Sequence, residues 1–185
     1  MTLLLLRHAE VLLPAGICYG ASDVEADDVA TRDAARRWAP GIPDGARLRV
    51  SPLRRARQLA DAVAELRPDL PEPVVDARLA EMDFGRFELV AWDEVPATEF
   101  DAWLADFAHH RVGGGESTQA VLERVASALD DERSLGGHAV WVTHAGVTRA
   151  VTHLTGGGAM PIRDVDAWPR HAPPPGGAHT VALHP

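Results

Sequence analysis

Apolar positions along this chain fall into two patterns: short unbroken runs and spaced stripes. The runs are Leu3–Leu6, Leu48–Val50 (within "ARLRVS") and Ala139–Val142 (within "HAVWVTH"), with weaker ones at Val74–Val75 and Val181–Leu183. Short, near-continuous apolar runs predict strands buried on both faces, as in a parallel sheet. The stripes predict helices. In "SPLRRARQLADAVAEL", Leu53, Ala56, Leu59, Ala60 and Val63 recur at helical spacing, behind Ser51 as N-cap and Pro52 at the first helical position. "STQAVLERVASALDDE" repeats the pattern from Ser117, with Val121, Leu122, Val125 and Leu129, and a third helix lies in "ATRDAARRWA". Strands alternating with helices predict a three-layer α/β/α sandwich around a mostly parallel sheet.

The pattern loses its period over residues 82–116, a stretch holding Phe84, Phe87, Trp92, Phe100, Trp103 and Phe107 and ending in "GGGES". This stretch reads as short helices or a lid beside a site. "MPIRDVDAWPRHAPPPGG" reads as a proline- and glycine-rich loop before the last strand, with Trp168 near a pocket mouth. No internal repeat interrupts the chain, and residues 1–185 are read as a single domain.

Composition narrows the partners. A formal net charge of −9 argues against general binding to nucleic acid or to an anionic membrane. An anion site in such a chain must concentrate its few basic residues. The single cysteine, Cys18, excludes an internal disulfide and a cysteine metal cluster. The leucine run is too short for a signal-peptide core and lacks a preceding basic stretch, so a cytoplasmic protein is expected. His109 and His110 would point about 100° apart on a helix and make a poor metal pair. His153, His171, His179 and His184 read as surface residues.

The candidate chemistry gathers at strand ends. The first strong run delivers Arg7 and His8, the second Ser51 followed by Arg55, and the third Thr143 and His144 followed by Ala145-Gly146. Ligands of wound α/β sheets sit at the carboxyl ends of the strands. Arginine offers forked donors suited to phosphate, and a helix start adds free N–H groups. Two histidines within such an anion pocket suggest a phosphate as its ligand.

"LLRHAE", "SPLRRARQLA", "RLAEMDFGRFE", "GGES" and "VTHAG", in this order, resemble the histidine phosphatase superfamily, also called phosphoglycerate mutase-like. The resemblance implies that fold and a set of catalytic roles. His8 would be the nucleophile, carrying the phosphoryl group as phosphohistidine. Arg7, Arg55 and His144 would, with His8, hold the phosphoryl group, and Glu81 would protonate the leaving alcohol and then activate water. The usual Arg-Ala pairing selects Arg55 over Arg54, which lies about 100° around the helix. It implies no cofactor and no metal. "DFG" at Asp83-Phe84-Gly85 has no kinase context.

Departures from the family pattern concern shape. Ala9 stands where Gly is common, Leu59 where Thr is usual, and Phe87-Glu88-Leu89 where "WEG" is frequent. "GICYGASDVE", Gly16 to Glu25, is similar to the "CYG…D" segment of the α-ribazole phosphatase branch; the alternative is that Cys18-Tyr19 packs under the first loop and Gly20 makes a turn. The expected activity is hydrolysis of a small phosphorylated metabolite, with α-ribazole 5′-phosphate as the named candidate. A mutase, a protein-phosphohistidine phosphatase and a non-catalytic phosphate-binding module stay open as rivals, as does a homodimer.

Overall fold

A computed structural model describes residues 1–183. Five strands form one sheet: β1 (Thr2–Arg7), β2 (Arg47–Val50), β3 (Val74–Val75), β4 (Ala139–Thr143) and β5 (Ala178–Ala182). Their order is β3-β2-β4-β1-β5. The first four run parallel, while β5 pairs antiparallel with β1. Five α-helices accompany the sheet: α1 (Asp28–Trp38), α2 (Arg54–Leu66), α3 (Ala97–Ala105), α4 (Thr118–Leu135) and α5 (Ala145–Thr155). The expected α/β architecture with a mostly parallel sheet is the one observed.

The leucine run feeds two cores at once because strand side chains alternate between faces. Leu3 and Leu5 join Val121, Leu122, Val125 and Leu129 of α4 and Val147 of α5. Leu4 and Leu6 turn to the other face, with Ala56, Leu59, Ala60 and Val63 of α2. Strand β4 is split in the same way, Trp141 to the first core and Val140 and Val142 to the second. Strand β2 departs from this rule. Leu48 and Val50 are in the second core, but Arg47 and Arg49 face α4 and meet Glu132, which is wholly buried. Arg47 Nη2 and Arg49 Nε lie 2.6 and 2.9 Å from its carboxylate, and Trp141 Nε1 donates to it at 3.0 Å.

Helix α2 begins later than its sequence predicts. Leu53 is the N-cap and makes no side-chain cap bond. Ser51 turns inward instead, its Oγ occupied by His144. Ser117 does cap α4, accepting from Ala120 N–H. The 82–116 stretch forms short 3-10 turns around α3, with Phe84, Trp92, Phe100 and Trp103 packed over Phe87, Val95 and Val112. His153 is buried rather than at the surface: its two ring nitrogens face the Ala159 and Ala167 carbonyls, fastening the loop after α5. His171 is exposed and His179 half-buried, and His184 lies outside the described residues.

Candidate active site

The carboxyl ends of β1, β2 and β4 meet at one cavity. Register pairs Arg7 directly with Thr143, so His8 and His144, the next residues, emerge side by side. Their ring centroids are 5.1 Å apart, and both side chains are buried. His8 Nδ1 lies 2.6 Å from its neighbour's carbonyl, Ala9 O. A carbonyl only accepts, so Nδ1 carries the hydrogen and Nε2 keeps its lone pair. Burial, aided by Arg55 and Arg7, holds the His8 pKa down at about 3. Its imidazole is therefore neutral at physiological pH, with a free nucleophilic nitrogen.

His144 has its hydrogen placed by Ser51. His144 Nε2 lies 2.7 Å from Ser51 Oγ, and Leu53 N–H donates to that same oxygen at 3.3 Å. Ser51 is fully buried, and among the described residues its hydroxyl hydrogen has one acceptor in reach, His144 Nε2. The hydrogen of the neutral ring is therefore on Nδ1. Burial, then the Arg55 charge, keeps the His144 pKa well below its ordinary value, so the ring stays neutral. His144 Nδ1 is buried and has no hydrogen-bond partner among the described residues. Two other buried nitrogens share that condition here: Arg7 Nε and Arg55 Nε. Unpaired buried donors are rare because each carries a desolvation cost. The His144 ring lies beside His8, and the Arg55 and Arg7 charges act on it, so all three groups cluster about the His8 ring.

The two arginines are held by carbonyl oxygens. Arg7 Nη1 donates to Pro173 O at 2.9 Å, which joins the proline-rich loop to the site. Arg55 donates to Ser22 O and Gly20 O at 2.7 Å and to Tyr19 O at 3.2 Å, and its guanidinium lies 5.2 Å from the Tyr19 ring centre. Arg55 thus pins the "CYGAS" loop, a duty the sequence did not disclose because backbone acceptors carry no residue signature. Arg54 points away and pairs with Glu25 at 2.7 Å.

Glu81 sits at the start of α5. Its carboxylate accepts Gly146 N–H at 3.0 Å and Met82 N–H at 3.1 Å. The first N–H groups of a helix lack intrahelical acceptors, so a carboxylate is well placed there. Gly146 is required for this approach, since a Cβ there would collide with Glu81 Oε1. Arg7, His8, Glu81 and Gly146 line one cavity of about 280 Å³. His144 and Arg55 are fully buried and do not line it; the His144 ring lies 5.1 Å from that of His8, and the Arg55 charge acts on His8. All five candidate residues therefore meet at one place.

A family model for the histidine phosphatase superfamily (branch 1) matches residues 3–172. The chain belongs to this superfamily. Its members are phosphatases or mutases. Among solved structures similar to this chain is TTHB049 from Thermus thermophilus, at 30% identity and a TM-score of 0.74, covering 98% of this chain and 93% of that one. A phosphoglycerate mutase from Thermus thermophilus is similar at 30% identity and a TM-score of 0.72, covering 98% and 92%. A mycobacterial hydrolase 2 shares the fold at 23% identity and a TM-score of 0.77, covering 97% of this chain and 80% of that one. A search of curated protein sequences finds no match.

The remaining walls of the cavity come from the Tyr19 segment, the 82–116 stretch and the loop holding Trp168. Tyr19 stands 6.3 Å from the His8 ring, and Phe84, Trp92, Trp103 and Trp168 form an aromatic side. Trp103 is oriented by a bond from its Nε1 to Thr118 Oγ1 at 3.1 Å. Cys18 is buried and backbone-paired to Val90 and Leu89, so it supports the wall from behind. Glu88 does the same, accepting Ala21 N–H at 2.8 Å and Ser22 and Phe84 N–H at 3.0 Å. Arg149, one turn into α5, also lines the cavity.

Proposed function

We propose that this chain is a metal-independent phosphomonoesterase acting through a phosphohistidine intermediate on a small phosphorylated metabolite. The observation that carries the reading is the neutral ring of His8, set 5.1 Å from the neutral ring of His144 and beside the fixed donors Arg55 and Arg7, at a cavity that Glu81 also lines. Fixed donors of this kind stabilise the charge that spreads over equatorial phosphoryl oxygens.

His8 Nε2 attacks phosphorus, and the P–O bond to the alcohol breaks. Glu81, protonated at this stage, gives its proton to the departing oxygen. Water then attacks the phosphohistidine, Glu81 takes the water's proton, and the P–N bond breaks to release phosphate and neutral His8. The two stages return every group to its starting protonation state.

α-Ribazole 5′-phosphate is the first named substrate to test, supported by the "GICYGASDVE" segment, whose Tyr19 and Gly20 line the cavity. Similarity to a phosphoglycerate mutase favours one second reading, transfer of the phosphoryl group to another hydroxyl instead of water. A cytoplasmic location and a homodimer belong to the same proposal. The deciding experiment compares wild type and Glu81→Gln on p-nitrophenyl phosphate and on alkyl phosphates. Loss should be far greater on the alkyl esters, whose leaving groups need the proton. Equal losses would make Glu81 structural. His8→Ala should abolish both activities, and substantial residual turnover would remove His8 as nucleophile.

A further inference from the structure

Arg149 is the one charged residue of the cavity that the phosphoryl chemistry above does not use. It is half-buried on α5, three residues after Gly146, and residues at that spacing share a helix face. Gly146 N–H holds Glu81, and Arg149 lies close enough to feel its charge, near the proposed proton donor to the leaving alcohol. Among the described residues its guanidinium makes no hydrogen bond and no ion pair. Glu81 is the one carboxylate whose charge reaches it, and both Glu81 oxygens are already engaged by backbone N–H groups. An arginine half out of water whose one nearby carboxylate is already engaged keeps its donors free, and a forked donor lining a cavity suits a carboxylate or phosphate.

The neighbouring wall has a different character. Phe84, Trp92, Trp103 and Trp168 are all half-buried and line the same cavity as Arg149. Phe84 stands edge-on to Trp92 at 5.1 Å and to Trp103 at 6.3 Å, so these rings already brace one another. Exposed aromatic faces held rigid in this way take flat apolar groups with little ordering cost.

Resting on the proposed hydrolase reading, we infer that Arg149 and the aromatic wall select the leaving half of the substrate: a planar apolar group carrying a second anionic group, carboxylate or phosphate. α-Ribazole 5′-phosphate supplies the planar group but no second charge, so this inference ranks an anionic aryl or heteroaryl phosphomonoester above it.

The test measures kcat/KM for phenyl phosphate, 3-carboxyphenyl phosphate, 1,3-phenylene bisphosphate and 3-phosphoglycerate, in wild type, Arg149→Met and Arg149→Lys. Wild type should prefer the two charged aryl esters over phenyl phosphate by roughly 10- to 100-fold, the range of one charge-assisted hydrogen bond. It should also prefer 3-carboxyphenyl phosphate over 3-phosphoglycerate, which lacks the ring. The charged-to-neutral ratio should fall toward one in Arg149→Met and recover in part in Arg149→Lys. Whichever charged ester is favoured, carboxylate or phosphate, identifies the second group. Equal kcat/KM for charged and neutral aryl esters in wild type would overturn the inference while leaving the hydrolase reading intact. No turnover of any ester would instead defeat the hydrolase reading. A ratio unchanged in Arg149→Met would remove Arg149 from recognition even if wild type shows the preference.

Discussion

Replacing Ser51 by alanine removes one hydroxyl that touches no substrate, and the structure sets what should follow. Ser51 Oγ gives its hydrogen to His144 Nε2 at 2.7 Å, and that bond keeps the ring hydrogen on Nδ1. In Ser51→Ala, Nε2 becomes a buried acceptor with no donor, which costs about 1–3 kcal/mol. The ring relieves part of that cost by spending time with its hydrogen on Nε2. Nδ1 then turns a lone pair toward a phosphoryl oxygen, and the site loses one of its stabilising donors. Loss of one such donor lowers kcat by roughly 10²–10³-fold. KM should change much less, because the donor matters most as charge develops in the transition state. Ser51→Thr, which keeps the hydroxyl, should restore most of kcat. Nitrogen-15 spectra of His144 give the independent readout: Nδ1–H in wild type and Ser51→Thr, a mixture in Ser51→Ala. A kcat for Ser51→Ala close to that of wild type, or an Nε2–H tautomer in the wild-type protein, would refute the reasoning.

Stability should fall with acid in a specific window. His8 and His144 both have lowered pKa values in the folded chain, so below about 6.5 the unfolded chain binds protons that the native state refuses, and the stability they confer at higher pH is lost. His8, its pKa held at about 3, should account for about 2 kcal/mol of this loss at about pH 5; urea unfolding at neutral and mildly acidic pH should show the loss shrinking in His8→Gln/His144→Gln, and an undiminished pH slope would contradict it. Leu89 stands at φ 64° with its side chain 56% exposed, so Leu89→Gly should relieve left-handed strain. The gain, net of glycine's entropy, is about 0.5–1 kcal/mol. Thermal unfolding should rise by roughly 1–4 °C, and a drop would show that Leu89 packs better than its exposure implies. Glu132→Ala leaves Arg47, Arg49 and Trp141 Nε1 without their buried acceptor, and a loss of about 3–5 kcal/mol is expected in urea melts. A loss below about 1 kcal/mol, well short of the cost of an unpaired buried charge, would mean the arginines find water instead.

The α/β plan was legible because the strongest apolar runs and stripes report burial directly, although the Val74–Val75 run lies exposed at the sheet edge. The five strands, the two strongest helices and the cap at Ser117 all follow from hydrophobic spacing and one hydroxyl. Ser51 departs from its expected capping role for a physical reason: a serine before proline carries the same local signal whether it caps a helix or bonds a distant histidine. Only the β2–β4 pairing, which places Ser51 N–H on Val142 O, reveals which partner wins. Arg55 and Arg149 mark the same boundary from opposite sides. Arg55 stands in a dense motif, yet its loop-pinning bonds run to carbonyl oxygens that any residue could offer. Arg149 stands in no motif that flags it, and its interest comes from what surrounds it, a cavity wall whose one nearby acid, Glu81, is already engaged by backbone N–H groups.

That contrast bears on how the site is built. The reacting groups come from strand ends, where backbone pairing fixes position to within a register step; Arg7 opposite Thr143 brings His8 beside His144 with no help from side chains. The leaving-group wall comes instead from the aperiodic 82–116 stretch and the loop holding Trp168, whose positions depend on ring-to-ring packing such as Phe107 against Trp168 at 6.2 Å. Substitutions there can alter the wall without disturbing the sheet, whereas a change at β1 or β4 would move the histidines. Selectivity should therefore respond to mutation in the aromatic wall, with the chemical step preserved, and loss of the chemical step should trace to the strand ends.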